Sequence, residues 1–143
     1  AHRMAPPGGI QFDDLTFSRR YAILAAYGQS KLANLLFAKA LARRLAGSGR
    51  TANALHPGEI ETDLGRELPA IFRAIAPLFS ALLWKSVAQG AATQCYVASH
   101  PSLAQTSGEY FIDSNIAEPF EPGDDPALAE RLWQVSEQIV AAL

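Results

Sequence analysis

The chain has 143 residues, of which 49% are hydrophobic and 18% are charged, and its formal net charge is −2. This much apolar material is enough for the packed core of one domain and excludes a disordered chain. Acidic and basic residues are interspersed without a basic stripe, so nucleic-acid binding has no electrostatic support. Cys95 is the only cysteine, which excludes an internal disulfide and a thiolate metal cluster and favours a reducing, cytoplasmic location.

The first twenty residues are predicted to form a loop, because Pro6-Pro7-Gly8-Gly9 combines residues that break helices and strands. The sequence opens on Ala1 without the charged and apolar regions of a secretory signal peptide. Two interpretations stay open at this point. The chain has a processed terminus, or its sequence begins partway through a larger fold.

A helix is predicted from about residue 25 to residue 45. Its leucines recur mostly at three- and four-residue steps and form one apolar stripe: Leu32, Leu35, Leu36, Leu41 and Leu45. The following Gly47-Ser48-Gly49 is a stop signal for this helix. Short apolar runs at 50–55 and 108–113 predict two strands, and the residues from His56 to Arg66 are predicted to form a loop.

Two further helices are predicted from their end signals. Ser86 is a candidate N-cap for a helix that ends at His100-Pro101, and Asp124-Asp125-Pro126 begins a last helix that runs to near Leu143. Helices that alternate with short apolar strands predict α/β layering with a parallel sheet. Two strands are too few for such a sheet, which indicates that neighbouring strands are missing.

Tyr27 and Lys31 are the residues that suggest chemistry. They lie four positions apart in Tyr27-Gly28-Gln29-Ser30-Lys31, so on a helix their side chains share one face. A tyrosine can give or take a proton, and an ammonium one turn away favours its phenolate, as general acid–base catalysis near neutral pH requires. The alternative for the pair alone is a surface tyrosine that packs on a lysine stem.

The surrounding sequence resembles a known family. The run from Ala26 to Phe37, which reads AYGQSKLANLLF, is similar to the catalytic helix of short-chain dehydrogenases/reductases, most of all the retinol-dehydrogenase-like and WW-domain-oxidoreductase-like branch. The run NALHPGEIET over 53–62 is similar to the Pro-Gly loop after that family's sixth strand. The resemblance implies the C-terminal half of a doubly wound Rossmann-type parallel sheet, with residues 1–143 as a partial domain that lacks the N-terminal cofactor-binding half.

The resemblance also implies roles for individual residues. Tyr27 would exchange a proton with the substrate oxygen, and Lys31 would assist it and bind the nicotinamide ribose. The Pro57-Gly58 loop would run beside the nicotinamide, with Ile60 offering backbone groups and Thr62 a hydroxyl. The implied cofactor is NADP or NAD, and the branch slightly favours NADP. The family's glycine-rich phosphate turn and its catalytic serine have no counterpart in this chain, and Ser18 is not assigned that role.

Other features receive structural interpretations. His2, His56 and His100 lack ligand spacing, so no metal site is expected. The uncharged stretch 74–84 is too short to span a bilayer. It coincides with the family's variable substrate-binding segment, so we expect it to form an apolar lid that covers an apolar substrate rather than a membrane anchor. Trp84 and Trp133 are expected to be core or interface anchors.

Two functions are therefore carried forward. The first is an NAD(P)-dependent oxidoreductase that interconverts a small apolar alcohol with its aldehyde or ketone, the chain being an incomplete fragment of it. The second is a catalytically inactive truncated remnant that serves as an interaction or dimerisation module. A homo-oligomer would form through the Tyr27–Leu45 helix, with Leu35, Leu36 and Phe37 in the interface.

Overall fold

The computed structural model describes residues 2–58 and 85–143. Over these ranges the fold has three α-helices, α1 (Ile23–Arg44), α2 (Val87–Ser99) and α3 (Pro126–Ala141). It also has three strands, β1 (Ala54–His56), β2 (Tyr110–Ile112) and β3 (Asn115–Ile116), which form one sheet in that order. Short 3-10 turns cover His2–Met4, Phe12–Asp14 and Pro101–Leu103. The predicted loop over residues 1–20 is thus wrong at two of these turns.

Helix α1 forms the centre of the core. Its buried stripe of Leu32, Leu36 and Ala40 packs with Ile10 and with Ala129 of α3. The predicted periodicity is confirmed, and the observed bounds lie within two residues of the predicted ones. The helix ends at Arg44, and the amide of Leu45 donates to the carbonyl of Leu41 at 2.9 Å.

Strands β1 and β2 pair in parallel, with Ala54 opposite Tyr110 and His56 opposite Ile112. The Asn53 side chain joins their ends, since its Nδ2 donates to the Thr106 carbonyl at 2.8 Å and its Oδ1 accepts from the Glu109 amide at 3.0 Å. The strand predicted at 50–55 is confirmed at its last two residues, Ala54 and Leu55, whereas the prediction of a loop at His56 is wrong. The reason is that regular pairing with β2 begins at Ala54 and continues through His56.

A tight hairpin, which the sequence reasoning missed, joins β2 to the antiparallel strand β3. Its two turn residues, Asp113 and Ser114, have φ values of +52° and +61°. Two successive left-handed residues are typical of a type I′ turn, which matches the twist of paired strands. The sheet is therefore mixed, whereas the prediction was a parallel one. The mixed α/β class is confirmed, and the larger doubly wound arrangement stays a prediction.

Both faces of β2 are covered, because successive strand side chains point to opposite faces. Tyr110 contacts the His2 ring edge-on, with ring centroids 5.5 Å apart, whereas Phe111 contacts Tyr96 of α2 at 6.4 Å. The N-terminal turn thus lies on one face and α2 on the other. This arrangement fixes the position of the His2–Met4 turn relative to the sheet.

The end signals of α2 and α3 are confirmed. Ser86 and Gln89 form a reciprocal capping box, and His100 is the C-cap of α2. Asp125 caps α3, accepting from the amides of Ala127 at 2.8 Å and Leu128 at 3.0 Å. Its neighbour Asp124 instead forms an ion pair with Lys39 of α1. No helix among residues 2–58 and 85–143 has the length and apolar character needed to cross a membrane.

Candidate active site

A cleft of about 620 Å³ separates α1 from the segment that contains β1. This volume lies within the roughly 300–1,000 Å³ that is usual for small-molecule sites. We call it the α1–β1 cleft. Its lining residues come from α1, from 52–58, and from the N-terminal turn with β2: Tyr27, Lys31, Asn34, Leu35, Phe37, Ala38 and Leu41; Ala52 to Gly58; and His2, Met4 and Tyr110. Four of the six predicted site residues, namely Tyr27, Lys31, Pro57 and Gly58, line this one cleft.

Tyr27 and Lys31 share the cleft-facing side of α1, as their spacing predicts. The Lys31 Nζ lies 5.3 Å from the centroid of the Tyr27 ring, within range of a cation–π attraction. The Tyr27 side chain is 44% exposed, which leaves its phenol accessible to a ligand. Ser30, which lies between them in the sequence, donates its hydroxyl to the Tyr27 carbonyl at 2.8 Å.

The opposite face of the same helical turn is buried, which determines the direction in which Tyr27 points. A Cβ at Gly28 would lie 2.1 Å from the carbonyl carbon of Met4, so only glycine permits this contact. The buried Gln29 accepts from the Gln11 amide at 2.8 Å and donates to the Leu15 carbonyl at 3.1 Å. Sequence reasoning missed both residues. A glycine within a helix, which costs about 1 kcal/mol relative to alanine, was the available signal for Gly28.

The Pro57-Gly58 segment follows β1 directly and forms the other wall of the cleft. Gly58 has a φ of +93°, a conformation that favours glycine. A Cβ at this position would also lie 2.7 Å from the Cδ of Lys85, whose ammonium is paired with Asp113 of the β2–β3 hairpin. The backbone conformation and the contact with Lys85 therefore both favour glycine at this position. Ile60, Thr62, Trp84 and the stretch 74–84 lie outside the described residues.

His2 is a cleft residue that sequence reasoning did not assign to the site. Its side chain is only 8% exposed, and its Nε2 accepts from the Phe120 amide at 3.0 Å. Burial lowers the pKa of His2 below 6.5, and the positive charges of His56 and Arg3 lower it further. Burial likewise raises the pKa of the Tyr110 phenol beside it. No local sequence signal connects His2 with Phe120, because the two lie at opposite ends of the chain.

Two other residues have structural roles. The Ser18 hydroxyl donates to Asp14 Oδ1 at 2.8 Å and so helps to close the turn after Asp14. Trp133 stacks on Phe37 with ring centroids 5.4 Å apart, and the Arg44 guanidinium lies 4.1 Å from the Trp133 ring centroid. The described parts of the chain contain no group of three or more His, Cys, Asp or Glu side chains that could hold a metal ion.

Several known proteins are similar to this chain over nearly its whole length. Short-chain dehydrogenase TIC 32 A, a chloroplastic protein of Brassica napus, is 44% identical over 145 aligned residues, which cover 100% of this chain and 45% of that protein. Human retinol dehydrogenase 14 is 42% identical, with 95% of this chain and 41% of the relative covered. Human retinol dehydrogenase 13 is 44% identical, with 93% and 42% covered. No protein-family model matches the chain.

These similarities identify the protein family of the chain. The chain belongs to the family of short-chain dehydrogenases/reductases. Within that family its similarity is to the retinol-dehydrogenase-like branch, as the motifs around Tyr27 and Pro57 predict. The chain spans less than half the length of each of these relatives.

Proposed function

We propose that the whole protein is an NAD(P)-dependent oxidoreductase that interconverts an alcohol and a carbonyl compound. The observation that carries the proposal is the shared cleft, in which Tyr27 and Lys31 of α1 face Pro57 and Gly58 after β1. A phenol, an ammonium group and a glycine backbone line this one space, which supports a role for them in one reaction. The relatives named above are called dehydrogenases, which supports the same chemistry.

The cleft fits the nicotinamide riboside end of the cofactor. Lys31 supplies a cation for the ribose hydroxyls, and Gly58 supplies backbone without a Cβ beside the ring. Ile60 and Thr62 would complete this end of the site, and NADP is favoured over NAD by the family branch. The chain contains no glycine-rich turn for the pyrophosphate, so the described cleft accounts for only part of the cofactor. When bound, the nicotinamide cofactor accepts or supplies the hydride.

Tyr27 handles the proton that accompanies this hydride. In alcohol oxidation, the phenolate of Tyr27 takes the proton of the substrate hydroxyl as the carbonyl forms. In carbonyl reduction, the phenol gives that proton to the substrate oxygen. In this proposal Lys31, one turn further along α1, holds the cofactor's ribose so that the nicotinamide lies beside Tyr27.

An apolar substrate is the proposed class. The α1 wall of the cleft continues from Lys31 into the apolar Leu35, Phe37 and Leu41. Two of the relatives are named retinol dehydrogenases, and retinol is an apolar alcohol. A cytoplasmic location remains a proposal that rests on the single cysteine.

The test of the function is Tyr27→Phe in the whole protein, with Tyr21→Phe as the matched control. Tyr21 is 69% exposed and lies outside the cleft lining, so its hydroxyl has no proposed role. Loss of the Tyr27 phenol should lower the turnover of apolar aldehydes roughly 10²–10⁴-fold while the Kd of NADPH changes little. Near-normal turnover by Tyr27→Phe would refute the mechanism.

The second candidate is a non-catalytic interaction module. The interface predicted from the sequence needs correction, because Leu35 is 3% exposed and Leu36 is fully buried in the core. Phe37 remains half-exposed, and Ile23 and Leu24 at the start of α1 are 69% and 65% exposed. If the start of α1 forms the interface, Leu24→Ser should dissociate the oligomer, and light scattering should show a lower molar mass than for the wild type. If the wild-type protein were monomeric and catalytically active, the hypothesis of a non-catalytic interaction module would be excluded.

A further inference from the structure

His2 holds two segments together beside the proposed active site. Its imidazole is buried between the β2 residue Tyr110, in edge-on contact at 5.5 Å, and Phe120, whose ring centroid lies 6.0 Å away. The Nε2 atom accepts the Phe120 backbone amide at 3.0 Å. The next residue, Arg3, places its guanidinium 3.4 Å from the Phe120 ring centroid. The N-terminal turn is therefore fixed to the loop around Phe120 by two contacts.

The same turn abuts the catalytic helix. The carbonyl of His2 accepts the Ala5 amide at 3.0 Å and closes the turn. Within it, the Met4 backbone lies against Gly28 with no room for a Cβ, and Gly28 directly follows Tyr27. Both His2 and Met4 also line the α1–β1 cleft. A displacement of the turn would therefore reach Tyr27 through rigid backbone contact.

The hydrogen bond to Phe120 requires a neutral His2 ring. An imidazolium donates from both nitrogens, so a protonated Nε2 would face the Phe120 amide donor without an acceptor between them. Among the described residues, the groups that face the ring are Arg3 on its own turn, His56 at the end of β1 and Tyr110 on β2. Glu118 and Glu121 flank Phe120 on its loop, and Tyr27 and Lys31 line the cleft from α1.

We propose that His2 is a positioning residue for Tyr27, holding the cleft wall in place through its neutral Nε2 and losing that hold when it is protonated. The inference rests on the proposed function, because it concerns the geometry of the same cleft. Burial of the ring, and after it the charges of His56 and Arg3, lower the pKa of His2 below its ordinary 6.5, so the ring is neutral near pH 6.5 and becomes protonated only at lower pH. We therefore expect kcat to fall at acidic pH because His2 is protonated, and not because of a change at Tyr27.

The experiment compares His2→Gln with His2→Leu in the whole protein. Glutamine offers an acceptor oxygen that does not titrate, whereas leucine offers none. Carbonyl reduction is the direction to measure, because Tyr27 then acts as the acid and low pH does not remove its proton. His100→Gln is the matched control, since His100 is an exposed histidine at the end of α2 that contacts Ser102.

The wild-type protein should lose kcat below pH 6.5 with little change in the Kd of NADPH, and His2→Gln should keep its kcat there. His2→Leu should lose roughly ten- to a hundred-fold in kcat at every pH, because misplacement of a reacting group by about 1 Å has such an effect. The control variant should follow the wild type. Identical pH profiles for the wild type and His2→Gln would overturn the inference.

Amide hydrogen exchange at Phe120 gives a reading that does not depend on activity. The Phe120 amide should exchange roughly tenfold faster in His2→Leu than in the wild type or His2→Gln, because its acceptor is lost. Unchanged exchange in His2→Leu would overturn the inference, whatever the protein catalyses. Normal turnover in Tyr27→Phe would instead refute the proposed function, so the two failures are distinguishable.

Discussion

Gly28 of α1 lies directly against the backbone of Met4, and a Cβ built on it would come within 2.3 Å of the Ala5 nitrogen and 2.4 Å of the Met4 oxygen. These are backbone atoms, which cannot rotate away as a flexible side chain can. The contact anchors the N-terminal turn to the helix that carries Tyr27 and Lys31. It therefore connects the stability of the fold with the geometry of the cleft.

Gly28→Ala should destabilise the protein although alanine is the better helix former. The added methyl group must displace the turn, and overpacking of this kind costs about 1–3 kcal/mol, which exceeds the roughly 1 kcal/mol gained in helix propensity. Thermal unfolding should show a lower Tm than the wild type. Ser30→Ala, on the exposed face of the same turn, is the control and should change stability by less than about 0.5 kcal/mol. A raised Tm in Gly28→Ala would contradict the observed contact.

Lys31→Met should weaken cofactor binding and slow turnover together. The substitution keeps an aliphatic stem of similar length but removes the charge proposed to bind the ribose. Turnover should fall with affinity, because a nicotinamide that is held less firmly is less often positioned for reaction. Steady-state kinetics and a fluorescence titration with NADPH measure these effects.

The control for Lys31 is Lys39→Met, two turns further along α1. Lys39 pairs with Asp124 and lies outside the α1–β1 cleft, so its loss should leave cofactor affinity unchanged. If Lys31→Met kept both the wild-type Kd and the wild-type turnover, Lys31 would be only a surface lysine.

Asp14 should make the N-terminal segment sensitive to acid. The Arg19 amide donates to its Oδ2 at 2.9 Å, and both the amide and the hydroxyl of Ser18 donate to its Oδ1 at 2.8 Å. These hydrogen bonds, the one from Arg19 first, lower the pKa of Asp14 below 3.8 in the folded protein. A depressed carboxyl pKa means that folding favours the carboxylate, so this stabilisation is present above pH 3.8 and is lost as the pH falls through the folded-state value.

The variant that checks this is Asp14→Asn, with Asp13→Asn as control. Asp14→Asn should have a lower Tm than the wild type at pH 7, and the difference should shrink as the pH is lowered to about 3. The adjacent Asp13 is exposed, and its variant should follow the wild type at both pH values. A difference that persists unchanged at low pH would mean that the carboxylate charge is irrelevant to this turn.

Asp125→Ala should remove the N-cap of α3. Two helix amides would lose their acceptor, and substitution of such a cap by alanine costs about 1 kcal/mol of stability. Because Ala129 of α3 packs in the core with Leu32 and Leu36, the loss should appear in global unfolding by denaturant. Asp124→Ala breaks only an exposed ion pair with Lys39 and should cost less. Equal losses for the two variants would contradict the assignment of the cap.

The elements that the sequence predicts well are those with local signals. The leucine stripe places α1, the Ser86 capping box and His100-Pro101 bound α2, and Asp125-Pro126 begins α3. The sheet was harder to predict. Its strands have only two or three residues, so their bounds depend on hydrogen bonds to a partner far along the chain. The turn of the β2–β3 hairpin is formed by two non-glycine residues with positive φ. It therefore lacks the Asn-Gly sequence by which such turns are usually recognised.

For the site, the sequence by itself determined that Tyr27 and Lys31 share a helix face, because four residues make about one helical turn. Only the tertiary structure decided what that face meets. The contacts of Gly28 with Met4 and of Gln29 with Gln11 and Leu15 bury the opposite face, so Tyr27 points into a cleft closed by Pro57 and Gly58. The hydrogen bond between His2 and Phe120 is likewise a product of the fold alone, since no local periodicity connects groups 118 positions apart.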